Sequence, residues 1–208
     1  MVAKTERKGA ETKPPTHFPG VAGAFVRVTM HNFMCHANAK VELGPRINYV
    51  TGENGSGKSA ILTALAVALG AKMKSIGRSS TKSAKGMIKT GASFARVVVV
   101  ISNDGEDAFK PDVFGRSITV EKVLNATGAN SLKIKSESGE TVGTRVDELN
   151  KLADHFCIDV DNPITVMTQD MAKKFLHTGD ATKKYQFFID ATLLSDLMEL
   201  QEIAKNKS

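Results

Sequence analysis

Apolar and polar positions alternate along much of this chain, and between the alternating stretches the period becomes helical. Ala24-Phe25-Val26-Arg27-Val28-Thr29-Met30 predicts a first strand and Ala39-Lys40-Val41-Glu42-Leu43 a second. Residues 31–38 read as the loop between them, and Gly44-Pro45 as a turn. Ile47-Asn48-Tyr49-Val50-Thr51 is apolar and β-branched, which predicts a short buried third strand. Residues 59–69 are rich in Ala and Leu and predict a helix ending at Gly70. A polar loop to about residue 83 and a short helix over 84–89 come next.

Residues 94–101 are strongly β-branched, as in a strand buried on both faces. Residues 117–123 and 131–135 alternate, and the segments 128–130 and 138–140 suit hairpin turns. The middle of the chain is therefore expected to be an antiparallel β layer. Over 144–156, Val146, Leu149, Leu152, Ala153 and Phe156 share one helical face. After Asp161-Asn162-Pro163, residues 164–167 predict a short buried strand. Helical pattern returns at 171–176 and from 182 onward. The last apolar stripe, with Phe188, Leu193, Leu194, Leu197 and Leu200, is too long for a core of its own and reads as a helix cut off midway. Residues 1–22 carry almost no apolar content and read as a disordered basic tail.

One stretch does not belong to either period. Gly52-Glu53-Asn54-Gly55-Ser56-Gly57-Lys58-Ser59 has the G-x-x-x-x-G-K-S spacing of a phosphate-binding loop. Glycines let the backbone wrap an anion in conformations that a Cβ resists. Successive N–H groups then point inward, and the following helix aims its positive end at the same place. Lys58 would supply a charge for the β- and γ-phosphates, and the Ser59 hydroxyl a ligand to Mg²⁺. A strand before the loop and a helix after it are the context that the motif requires.

Composition narrows the classes. At 208 residues the chain is one large domain, or one with appendages. Cys35 and Cys157 have no metal-ligand spacing and read as reduced thiols of an intracellular protein. His31 and His36 have no third ligand nearby, so a metal site is not expected there. No apolar run approaches the length of a membrane span, and no membrane partner is expected. Net charge is +6, and from Asn54 to Asn103 there is no Asp or Glu. Lys72, Lys74, Arg78, Lys82, Lys85, Lys89 and Arg96 fall in that interval. Either they form a basic face for DNA phosphates, or they are a solvated surface with acidic partners from elsewhere.

A self-sufficient ATPase of this kind also needs a strand that ends in an acidic residue, to serve the metal and the attacking water. Residues 97–101 are followed by Ser102-Asn103 before Asp104, 164–167 run into Thr168-Gln169, and Asp190 lies in a helical pattern. None is a convincing candidate, so the hydrolytic half is expected on another chain or is absent. Two other readings stay open: a non-catalytic nucleotide- or DNA-binding module working through the basic 72–96 segment, and a self-contained P-loop NTPase using Asp104.

Asn32-Phe33-Met34-Cys35-His36, Gly44-Pro45-Arg46-Ile47-Asn48 and the loop at 52–59 resemble the N-terminal half-head of the structural-maintenance-of-chromosomes (SMC) ATPases. Residues 154–163 and Thr168-Gln169-Asp170-Met171 resemble the sixth SMC paralogue in particular. The resemblance implies an α/β fold: a P-loop NTPase of ABC type, an SMC head N-lobe with an antiparallel β layer and the start of a coiled-coil helix. It implies a tail over 1–22, the lobe over 23–178, and the outgoing coil over 179–208. ATP and Mg²⁺ are the implied cofactors, with Gly52, Glu53, Asn54, Gly55, Ser56, Gly57, Lys58 and Ser59 at the nucleotide. Lys58 and Gln169 are the implied catalytic residues, with Ser59 and Gln169 at the metal. The segment from Asn32 to His36 falls where the family approaches the adenine.

Arg78 falls where the family places an arginine facing a second head and DNA, and Lys72, Lys74, Lys82 and Lys85 lie in the same basic segment. The implied partners are the protein's own C-terminal half-head, the head of the fifth paralogue, non-SMC subunits and DNA. The implied work is DNA repair and recombination on chromosomes in the nucleus. ATP binding would drive head engagement, and hydrolysis would gate DNA entrapment.

Overall fold

Six strands form one antiparallel sheet in the computed structural model, which describes residues 16–72, 84–162, 164–169, 171–173, 180–192, 194, 201, 204 and 205. The strands are β1 (Ala22–Phe33), β2 (His36–Glu42), β3 (Phe94–Asn103), β4 (Ser117–Asn125), β5 (Ser131–Lys135) and β6 (Thr141–Gly143), in the order β2-β1-β3-β4-β5-β6. The helices are α1 (Lys58–Ala68), α2 (Pro111–Phe114), α3 (Val146–His155) and α4 (Ala181–Ala191), with a 3₁₀ turn at Ala84–Met87. The antiparallel layer expected in the middle of the chain is present, and β1 and β2 extend it.

Alternation decides which side chains meet the helices. Val26, Val28 and Met30 of β1 point inward, as do Val97, Val99 and Ile101 of β3 and Ile118 and Val120 of β4. Helix α1 lies over them on Ala60, Ala64, Ala66, Val67 and Ala68. A helix that faces a sheet mainly with alanines can approach closely, because no side chain holds the backbones apart. Leu149 and Leu152 of α3, with Phe109 and Phe114 beside them, complete this core.

The other face carries a row of Glu42, Arg27, Val100, Thr119 and Lys135, one from each strand from β2 to β5. Strand β3 is thus not buried on both faces: Val98 and Val100 are only half-buried, and Arg96 is exposed. On this face Glu121 lies between Arg96 (2.9 Å) and Lys135 (2.7 Å). Burial raises its pKa, but the hydrogen bonds and charges of Lys135 and Arg96 outweigh that, and the net value is below the ordinary one.

Several local expectations change. Residues 31–38 are a tight hairpin, not a loop, with only Met34 and Cys35 between the strands. Residues 16–21, read as part of the tail, are fastened to the end of β3. Phe18 N–H donates to Ser102 Oγ at 2.7 Å, and Gly20 N–H to Asp104 Oδ2 at 2.9 Å. Residues 47–51 and 164–167 are not buried strands: Ile47 is 77% exposed, Tyr49 86%, Val50 42% and Ile164 55%. The physical reason is the same for both. A strand needs a neighbour to take its N–H and C=O groups, and none of the described residues pairs with either segment. Of the helix expected over 171–176, residues 171–173 are helical and 174–176 lie outside the described residues.

Candidate phosphate-binding site

The loop leaves the end of β2 through a small side-chain clasp. Asn48 Oδ1 accepts from Gly44 N–H at 2.7 Å, and its amide donates to Gly44 O at 3.0 Å. This closes residues 44–48 into a turn ahead of Gly52. Gly55 has φ 83° and Gly57 φ 90°, both left-handed. That is the conformation for which the motif keeps glycines.

Gly57 is also the N-cap of α1. It offers no side-chain acceptor, and the first turn of the helix has no acidic residue. The leading N–H groups and the positive end of the helix dipole are thus left to the loop's concave side. Lys58 folds back over that side, with Nζ donating to Gly52 O at 2.7 Å and Glu53 O at 2.6 Å. Its ammonium is held by backbone carbonyls that a phosphate could replace. Ser59 is exposed, one residue into the helix, and Thr63 Oγ1 donates to its carbonyl at 2.9 Å. The donor set fits an anion with a hard cation beside it: orphan N–H groups, an ammonium and a hydroxyl.

The hairpin between β1 and β2 packs against this loop. A Cβ on Gly57 would collide with Nε2 of His36, and would lie 2.6 Å from its Cε1 and 2.7 Å from Cys35 Sγ. Only the family resemblance ties residues 32–36 to the nucleotide, on the adenine side; their contact with the loop glycine, 21 positions from His36, is not readable from the sequence. Among the described residues, no group of three or more His, Cys, Asp or Glu could hold a metal ion.

Gln169 stands at the start of a helical turn and is exposed. That turn is capped by Thr168, whose Oγ1 accepts from Met171 N–H at 3.3 Å and whose carbonyl accepts from Ala172 N–H at 2.9 Å. No hydrogen bond joins Gln169 to the loop among the described residues.

Of the basic segment, Lys74, Arg78 and Lys82 lie outside the described residues. Lys72 is bound to Asp161, by its N–H at 2.9 Å and its Nζ at 3.9 Å, and its side chain is 81% exposed. Lys85 is exposed in the 3₁₀ turn. Arg96 is on the far face of the sheet with Glu121. For Lys72 and Arg96, then, acidic partners do come from elsewhere in the chain.

Comparison with known proteins bears on the fold. A solved structure described as "Structural biochemistry of ATP-driven dimerization and DNA stimulated activation of SMC ATPases" superposes with a TM-score of 0.65, at 17% identity, over 80% of this chain and 98% of that one. The fold is accordingly that of a P-loop NTPase, the N-terminal lobe of an SMC-type head. Structural maintenance of chromosomes protein 6B of Arabidopsis thaliana is 45% identical over 179 residues, 86% of this chain. Structural maintenance of chromosomes protein 6 of Homo sapiens is 42% identical over 190 residues, 91% of this chain. In each case the match spans 17% of the relative's length. The AAA domain profile matches residues 27–208, so the chain belongs to the AAA domain family, and its resemblance within that family is to the sixth SMC protein.

Proposed function

We propose that this chain is the ATP-binding lobe of a composite SMC-type ATPase head. The observation that carries the reading is an asymmetry around the loop. On one side, α1 packs on the sheet through Ala60, Ala64, Ala66, Val67 and Ala68. On the other, Ile47, Tyr49 and Val50, a β-type sequence, stand open to water, and none of the described residues forms a strand beside them. A phosphate-binding loop fits the turn from a strand into a helix. Here only the helical side has its partner, and the C-terminal half-head of the same protein is the natural source of the missing strands.

Gly52, Glu53, Asn54, Gly55, Ser56, Gly57, Lys58 and Ser59 would hold ATP, and Ser59 and Gln169 would hold Mg²⁺. When bound, the metal would screen phosphate charge and fix the geometry of the γ-phosphate. Lys58 would release the carbonyls of Gly52 and Glu53 to neutralise the phosphates. The first N–H groups of α1 would take the oxygens. Gln169 would report the γ-phosphate to the segment that carries it.

In this reading the isolated chain turns over little ATP. Its partners are a second head, that of the fifth paralogue, non-SMC subunits, and DNA along the basic segment at Lys72, Lys74, Arg78, Lys82 and Lys85. The cellular setting is the chromosome, in DNA repair and recombination in the nucleus. The relatives' names support the chromosome as the setting, and the solved SMC ATPase, described with ATP-driven dimerization and DNA stimulation, supports a second head and DNA as partners.

Nucleotide and DNA binding by one preparation tests the proposal. Mg²⁺-dependent ATP binding that Lys58→Ala removes is the expected result. DNA binding that falls with salt and ignores both ATP and Lys58→Ala, with no nucleotide bound at all, would favour the non-catalytic module instead.

A further inference from the structure

The β1–β2 hairpin is strained, well anchored, and pressed on one peptide group of the phosphate loop. Asn32 and Met34, neither a glycine, have φ 49° and 52°. Left-handed backbone at such residues persists only where the surroundings hold it, and it is enriched at working sites. Here the holding bonds are Met34 N–H to Met87 O at 2.7 Å and Lys89 N–H to Asn32 O at 2.8 Å, with Phe33 fully buried between them. The turn so fixed presents His36 to Gly57. The imidazole fills the space a Cβ would need, and its Nε2 lies 3.4 Å from the Gly57 carbonyl oxygen.

That carbonyl has a particular position in the loop. A trans peptide points its C=O and its N–H in opposite directions. Fixing the Gly57 oxygen toward His36 therefore fixes the Lys58 N–H away from it, toward the concave side where the phosphate would sit. Ala60 N–H, at 2.9 Å, holds the same oxygen from within α1, and the His36 ring is its second, longer contact.

We propose that His36 is a positioning residue for the phosphate loop, acting on the Gly57–Lys58 peptide and not on the nucleotide. The proposal rests on the reading of residues 52–59 as an ATP site. With its proton on Nε2 the ring donates to Gly57 O, and its bulk keeps the loop from collapsing toward the hairpin. A glutamine at 36 can place an amide N–H at the same point, whereas a leucine fills the volume without the donor.

The test is equilibrium binding of a fluorescent ATP analogue with Mg²⁺ to the full chain, for wild type, Lys58→Ala, His36→Leu and His36→Gln, each with its thermal midpoint. His36→Leu should bind about fivefold more weakly, as expected for one lost hydrogen bond, with a midpoint near wild type. His36→Gln should lie close to wild type. A leucine variant that binds as wild type does, or a folded glutamine variant as weak as leucine, overturns the proposal. Should the leucine variant lose its fold, His36→Asn, whose amide stops short of Gly57, takes its place under the same criteria. A wild-type chain that does not bind, or a Lys58→Ala variant that binds equally well, overturns the reading of the loop itself, and the role of His36 falls with it.

Discussion

Gly55 and Gly57 have nearly the same φ, 83° and 90°, in very different surroundings. A Cβ added at Gly55 meets nothing within 4 Å, while one at Gly57 runs into the His36 ring and lies 2.7 Å from Cys35 Sγ. Alanine at either position incurs the left-handed penalty, about 1–2 kcal/mol. At Gly57 the collision adds about 1–3 kcal/mol, the usual cost of overpacking, because the hairpin that would have to yield is tied to residues 87 and 89. Loop strain of this kind reduces the population of the binding-competent shape, and apparent affinity falls in proportion. Gly55→Ala should therefore weaken ATP binding by roughly 5- to 30-fold, and Gly57→Ala by about 5-fold or more beyond that. Fluorescent-nucleotide titration reads both, and a urea melt reports whether the rest of the lobe stays folded. If Gly57→Ala binds no more weakly than Gly55→Ala, the packing of Cys35 and His36 on the loop does not constrain it, and the reasoning fails.

Three further substitutions probe the sheet and its edge. Glu121→Gln should destabilise the lobe by about 1–2 kcal/mol at neutral pH, since a nearly buried carboxylate is paired with cations that are themselves partly in water. Its folded pKa is depressed, so this contribution is present above the unfolded value and lost as pH falls through the folded one. Urea melts of wild type and variant should converge toward acid, and a difference that persists there would contradict the assignment. Lys122 points toward the core between Val97 and Leu132, and burial pushes its pKa down. The folded state thus binds fewer protons, and stability should rise with pH between the depressed value and the ordinary lysine range. Lys122→Met should raise the thermal midpoint at pH 7 and lose that advantage toward alkaline pH; a lower midpoint would show that the ammonium is solvated or paired. Tyr49→Lys should leave the melt of the isolated chain unchanged, because the side chain is exposed, yet weaken association with the C-terminal half-head in a pull-down. Wild-type association would remove residues 47–51 from the proposed interface.

The sequence made some features legible because their causes are local. The loop at 52–59 was readable from spacing, α1 from its alanines and leucines and the left-handed Gly70, and β3 to β5 from β-branched alternation. The misreadings have non-local causes. Residues 47–51 and 164–167 have strand composition, but composition records where a segment is meant to pair and not whether the partner is at hand. The 31–38 segment contains no glycine, and Asn32 and Met34 enter the left-handed region because residues 87 and 89 hold the hairpin, an anchor more than fifty positions away. Strand β6 was missed because three residues carry too little pattern to read. The charge interval 54–103 left open one basic face or a solvated surface with acidic partners from elsewhere. The sheet divides it, sending Arg96 to the side opposite α1, and the turn after α1 gives Lys72 to Asp161.

The most direct measurement is ATP turnover by this chain alone, by the C-terminal half-head alone, and by the two together. Background hydrolysis is expected from each part, and turnover from the mixture that Lys58→Ala in this chain abolishes. Turnover by this chain alone at the rate of the mixture would contradict it, because the catalytic groups would then all lie within these residues.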